Sequence, residues 1–240
     1  MGVLETSFPV RAAGRQNGDR GSMTRLYSPR ELVFREHDSA SRVYVVDEGL
    51  VMLSHVFCDG RRHIVDLVGP GELCAWESTP AHGCTAETLT YATITSHDMA
   101  RVEETPALQR DLSRRLRASY RRVQGHTAML GRKTALERVA SLIERLWEIC
   151  DPEGDEVYLP LTRREIADHL GITQETASRS FSELKRRCII CHLSPSEIRI
   201  ENPAALARLA GSRMAGLPAP RRRAAAADAS PGLRRERSER

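Results

Sequence analysis

Residues 160–187 read PLTRREIADHLGITQETASRSFSELKRR, which is the pattern of two short helices separated by a glycine turn. Thr162 caps the first, Glu165 three residues on closes a capping box, and Ile166, Ala167 and Leu170 form its buried stripe. Gly171 ends that helix. Ile172 then packs inward and Thr173 supplies a fresh N-cap, so a second helix starts at once and carries Ala177, Phe181 and Leu184 at helical spacing. In a helix-turn-helix of this kind the second helix enters the DNA major groove by its N-terminal half. The side chains left on that half, outside the apolar stripe, are Gln174, Glu175, Ser178 and Arg179.

Their chemistry suits base reading. Arginine donates a bidentate pair to guanine O6 and N7, and a carboxylate accepts from cytosine N4. Glu175 and Arg179 are four apart and are expected to hold each other in register. Outside a helix-turn-helix the same pair would be an ordinary surface ion pair. Thr173, Gln174 and the helix N-terminus are placed to meet phosphate. Lys185, Arg186 and Arg187 at the far end either touch phosphate or form a solvated basic face.

Toward the C-terminus, Ile189 to Leu193, the turn Ser194-Pro195-Ser196 and Ile198 to Ile200 read as a β-hairpin wing, followed by a short helix started by Asn202 and Pro203. Toward the N-terminus, Val139, Leu142, Ile143, Leu146 and Ile149 mark one face of a further helix, with Gly131 as a hinge before it. Thr105-Pro106 starts a long helix reaching about Leu130. Its residues Leu112, Leu116, Ser119, Val123, His126 and Leu130 alternate steps of four and three, the seam of a two-stranded coiled coil. Ser119 and His126 weaken that seam, and Gly125 costs on the order of 1 kcal/mol relative to alanine. The alternative is a helix packed on its own N-terminal domain. From Arg25 to about Val102 short β-like runs alternate with turns: Leu32 to Phe34, Val43 to Val46, Leu50 to Leu53, Ile64 to Leu67 and Leu89 to Ile94. Glu48-Gly49, Asp59-Gly60 and Gly69-Pro70-Gly71 separate them, as in a small jelly-roll barrel.

The expected fold is therefore α+β, with a flexible start at 1–22, a barrel at 23–104, a helix and hinge at 105–131, a winged helix-turn-helix at 132–209 and a basic tail at 210–240. The chain has 240 residues and a net charge of +4. In the tail, eight arginines stand against Asp228, Glu236 and Glu239, so the tail carries +5 and the rest −1. Nucleic-acid affinity must then come from local patches and from this tail. No apolar run approaches the ~18 residues of a membrane span, and the first residues lack a signal-peptide core, so the expected setting is the cytoplasm without membrane contact. The six cysteines are expected to be reduced thiols. No nucleophile paired with a base and no phosphate loop suggests an enzyme.

This order of barrel, long helix, hinge and winged helix-turn-helix resembles the Crp/Fnr family of transcription regulators over roughly Leu26 to Leu209. The matching stretches are GRKTALERVASLIERL from Gly131 and LTRREIADHLGITQETASRSFSELKRR from Leu161, and with HGCTAETL from His82 they look most like the FixK branch. The resemblance implies a cyclic-nucleotide-binding-like barrel, a homodimer on a palindromic double-stranded operator, and recruitment of RNA polymerase, so that the regulator is an activator. Glu175, Ser178 and Arg179 match the E-x-x-S-R reading pattern of Fnr-like members, which implies an operator of the TTGAT-N4-ATCAA type.

Cyclic-nucleotide-binding members hold ribose with an acidic residue after Gly-Glu-Leu and the cyclic phosphate with Arg-Ser. Gly71-Glu72-Leu73 keeps the first part, whereas Gly83-Cys84-Thr85 stands where Arg-Ser would lie. Without that arginine a buried phosphate loses a strong bidentate contact, so no cyclic nucleotide is expected, although His82 is a candidate holder of another anion. Oxygen-sensing Fnr proteins carry an iron-sulfur cluster on closely spaced N-terminal cysteines; here no cysteine precedes Cys58, and no cofactor is expected. Cys188-x-x-Cys191 followed by His192 lacks a second ligand pair, so no metal is expected. Cys188 beside Lys185, Arg186 and Arg187 is a candidate redox thiol. An effector-, metal- or oxidant-gated regulator remains the alternative to a ligand-free one.

Overall fold

The computed structural model describes residues 21–77, 79–150 and 154–211; most of the expected flexible start and nearly all of the basic tail lie outside the described residues. Strands β1 (Ser22–Tyr27), β2 (Leu32–Phe34), β3 (Arg42–Glu48), β4 (Val51–Val56), β5 (Arg62–Val68), β6 (Leu73–Ala75), β7 (Thr85–Thr88) and β8 (Ala92–Asp98) form two four-stranded antiparallel sheets. Their orders are β1-β8-β3-β6 and β2-β7-β4-β5. Tyr27, Phe34, Val46, Val51, Val68 and Ile94 fill the space between them. Gly49 turns β3 into β4 with φ of +88°, and a Cβ there would lie 2.2 Å from the carbonyl oxygen of Tyr91, so only glycine fits.

The expected strand from Leu89 to Ile94 is divided. β7 stops at Thr88 and β8 starts at Ala92, while Leu89 donates its N–H to Leu50 O and Thr90 Oγ1 accepts from Leu50 N. Leu89 is apolar because the turn itself is buried. Strand β1, mostly exposed on a sheet edge, carries too little apolar alternation to be read from sequence.

Helix α1 (Met99–Glu104) leads into the long α2 (Pro106–Arg132), with Pro106 in its first turn as expected, although the Thr105 side chain makes no cap bond. Gly131 stays helical. The break falls at Lys133 and Thr134, where Glu137 accepts from Thr134 N at 2.8 Å and starts α3 (Ala135–Cys150). Strand β9 (Glu156–Tyr158), α4 (Arg163–Leu170), α5 (Gln174–Arg186), β10 (Ile190–Ser194), β11 (Glu197–Ile200) and α6 (Pro203–Ala210) complete the C-terminal half. The wing is a three-stranded sheet, β10-β11-β9, rather than a hairpin alone.

The two halves share a core. Along β4, Val51 and Leu53 point into the barrel, while Leu50 just before it and Met52 join Ile64, Leu67 and Leu89 in one apolar cluster with Leu142, Leu146, Ile166 and Leu170. Period-2 alternation assigns these sets to opposite faces of the sheet. Polar contacts surround the seam: Arg30 reaches Glu165 at 2.6 Å, Arg62 reaches Asp168 at 3.1 Å, and Arg145 of α3 reaches Glu72 at 2.5 Å. At Gly69 a Cβ would approach Ile149 to 3.0 Å, so the turn after β5 meets α3 closely because it has no side chain there.

Candidate nucleic-acid interface

The capping box on α4 forms as its sequence requires, with Glu165 N bonding Thr162 Oγ1 at 3.2 Å and Thr162 N bonding the Glu165 carboxylate at 2.8 Å. Gly171 adopts the left-handed conformation at φ +60°. The chain turns there, and Thr173 Oγ1 accepts from Thr176 N at 3.2 Å to begin α5. Ala177, Phe181 and Leu184 are buried beneath α5, which holds its opposite face outward.

All five expected contact residues, Thr173, Gln174, Glu175, Ser178 and Arg179, are exposed, within two turns at the N-terminal end of α5. The expected Glu175–Arg179 pair is replaced by a different arrangement. Arg179 Nη2 donates to Thr176 Oγ1 at 3.3 Å, and Thr176 Oγ1 lies 3.0 Å from Thr173 Oγ1. Glu175 has its carboxyl pKa held down first by the backbone N–H groups at the helix start, then by the Thr173 hydroxyl, and last by the charge of Arg179. At a helix N-terminus the carboxylate has donors closer than a guanidinium one turn away. Both side chains are exposed, each hydrogen-bonded to a neighbouring threonine rather than to the other.

Arg163 was not singled out by sequence. Its guanidinium lies 3.6 Å over the Phe181 ring and donates Nη2–H to His192 Nε2 at 3.2 Å, tying α4, α5 and β10 together. Burial lowers its pKa. As the first residue of α4 it belongs to no apolar stripe, and its place between Thr162 and Glu165 of the capping box is its one local signal. Arg186 and Arg187 both turn back onto Glu183, at 2.6 and 2.7 Å, as a solvated face would.

Cys188 is exposed, with φ of +53° at the end of α5. Of the three cations expected to activate it, Arg186 and Arg187 direct their charge to Glu183 instead. Cys191 is half-buried with its Sγ at 3.7 Å from His192 O, while His192 Nε2 faces Arg163, so the three side chains do not converge. In the barrel, burial raises the Cys74 thiol pKa and pushes that of Cys84 up to about 12. His82 is 1% exposed and stacks on Phe34 at 3.8 Å between ring centroids, and burial lowers its pKa. A neutral, sandwiched ring offers no cation, so His82 does not act as the anion holder considered from sequence.

Comparison with known proteins places these elements. Residues 24–105 match the cyclic nucleotide-binding domain model and residues 137–209 the Crp-like helix-turn-helix domain model. The nitrogen fixation regulation protein FixK of Rhizobium meliloti is 32% identical over 76% of this chain and 85% of its own length. FixK of Bradyrhizobium diazoefficiens is likewise 32% identical, over 78% of this chain and 81% of its own. The solved structure of FixK2 from Bradyrhizobium japonicum superposes with a TM-score of 0.70 at 29% identity, covering 81% of this chain and 99% of that one. A fold with an exposed reading helix, both domain matches and relatives of this similarity lead to one conclusion: the chain belongs to the FixK-like branch of the Crp/Fnr family of DNA-binding transcription regulators.

Proposed function

We propose that this regulator acts as a homodimeric activator that reads a TTGAT-N4-ATCAA-type palindrome through Glu175, Ser178 and Arg179, with Thr173 and Gln174 on phosphate, and recruits RNA polymerase from the cytoplasm. The observation that carries the proposal is the exposure of Glu175 and Arg179 on the N-terminal half of α5, each held by a neighbouring threonine rather than locked in an ion pair with the other. The domain limits that go with it are a sensor barrel over 23–104, a dimerisation helix and hinge over 105–131 and a DNA-binding unit over 132–209. None of the described helices is long and apolar enough to cross a membrane.

The dimer is supported by α2. Leu116, Tyr120 and Val123 are 42%, 64% and 38% exposed and lie four and three residues apart on one face. That seam differs from the one expected. Leu112 is buried against its own barrel with Val43 and Leu73, the Ser119 hydroxyl meets Arg122, and His126 stacks on His169, so these three belong to the chain's own body. Gel shifts on the palindrome test the reading: Arg179→Ala is expected to weaken specific binding by about 1 to 3 kcal/mol and to relax one operator position. Wild-type affinity in that variant would reject the groove assignment.

A further inference from the structure

A cleft of about 200 Å³ opens where β5, the second half of α2, the hinge, α3 and α4 meet. Its apolar wall includes Leu67, Met129, Leu142 and Leu170. Its polar wall is cationic: Arg122, Lys133 and Arg145 line it against a single acid, Asp66. Arg122 is saturated, since it binds both oxygens of Asp66 between 2.7 and 3.0 Å and reaches Glu72 at 3.2 Å. Arg145 commits its Nη2 to Glu72 but keeps a buried Nε–H without an acceptor among the described residues. Lys133 donates to Ser141 Oγ at 2.8 Å and to Ala210 O at 2.5 Å, which leaves one ammonium proton. His126 Nε2 is also buried without a partner among the described residues.

Three lining cations, Arg122, Lys133 and Arg145, face one lining carboxylate, Asp66, with Glu72, Glu137 and Glu148 behind them outside the lining, while burial lowers the pKa of both His126 and His169. The cationic lining suits a small anion, and the buried Arg145 Nε–H stands there without an acceptor among the described residues, beside an apolar wall. Gly125 lines the same cleft, and a Cβ there would meet nothing within 4 Å, so packing within the chain does not demand a glycine inside α2.

We propose that this interdomain cleft is a binding site for a small monocarboxylate with a compact apolar body, held by Arg145 Nε and Lys133. This goes beyond the operator reading and places an effector outside the sensor barrel. The cleft is large enough for a benzene-sized group, since an apolar cavity of ~150 Å³ accepts benzene. A carboxylate seated there contacts α2, the hinge and α3 at once. It would bolt the DNA-binding half to the dimerisation helix.

The test is isothermal titration calorimetry of the full chain with benzoate, using benzamide and inorganic phosphate for comparison. Benzoate is expected to bind saturably at one site per chain, with benzamide and phosphate each weaker by about tenfold or more, because a charge-assisted contact or the apolar contact is missing. Lys133→Gln removes the ammonium charge and, read alongside its thermal melt, is expected to lose about tenfold in benzoate affinity. Arg145→Gln is the second variant, read alongside its thermal melt. Absence of saturable benzoate binding overturns the proposal, as does benzamide or phosphate binding equally well. Undiminished benzoate affinity in both folded variants would place the ligand elsewhere and overturn it too.

Discussion

His169, on the first helix of the helix-turn-helix, donates its Nδ1–H to the carbonyl oxygen of Ile64 on barrel strand β5 at 3.0 Å. Its neighbour Asp168 accepts from His63 Nδ1 through its backbone at 3.1 Å. Barrel and DNA-binding half are therefore joined by backbone carbonyls on both sides. The His169 ring is 7% exposed and stacks on His126 at 4.3 Å.

Burial, followed by the neighbouring His126 and His63, lowers the His169 pKa from 6.5 to about 3. The folded state thus resists a proton that the unfolded chain accepts. The resulting stability is present in full above about pH 6.5 and is lost progressively as pH falls toward 3, by on the order of a few kcal/mol. Thermal melts should show a Tm that drops between about pH 7 and pH 5. His169→Gln retains an N–H for Ile64 and should flatten that dependence; an equally steep profile would mean that other groups dominate.

Arg30 sits at φ +65° and pairs with Glu165, whose side chain is 7% exposed. Arg30→Ala keeps the strained backbone and strips the carboxylate of its cation; because Arg30 is partly exposed, a loss of about 1 to 2 kcal/mol is expected. Arg30→Gly relieves the backbone and should recover about 1 kcal/mol of that loss. Urea unfolding of the two variants separates the contributions. An alanine variant as stable as wild type would show that the ion pair contributes nothing.

On α5, Thr176→Val removes the hydroxyl that receives Arg179. Operator affinity is expected to fall by about 0.5 to 1.5 kcal/mol, with little further loss from Thr176→Val once Arg179 is alanine. Fully additive losses in that cycle would deny that Thr176 acts through Arg179.

Leu116→Glu and Val123→Glu place charges in the exposed stripe of α2 without touching the barrel core. Sedimentation should report half the wild-type mass, and operator binding should weaken with it. An unchanged mass would locate the dimer contact on another face.

The sequence disclosed the DNA-reading half well, because capping boxes, left-handed glycines and helical spacing are local signals. Thr162, Glu165, Gly171 and Thr173 all behave as their neighbours dictate. The regular four-and-three spacing along α2 is a weaker guide, for an equally physical reason. Ser119 and His126 fall at seam spacing, yet Ser119 bonds Arg122 one turn along the same helix and His126 stacks on His169 of α4, a long-range contact that no periodicity reveals. The contacts of Arg30 with Glu165 and of His169 with Ile64 join residues more than a hundred positions apart. The run Leu50 to Leu53 did carry a clue, since an antiparallel strand with one wet face would alternate.

That doubly covered strand limits how the molecule can be taken apart. Cutting the chain at the hinge would leave the barrel with Leu50, Met52, Ile64 and Leu67 bare, and the reading unit with Leu142, Ile166 and Leu170 bare. Domain grafting that exchanges reading heads among such regulators must then carry over the matching barrel face, because specificity here is not a detachable module.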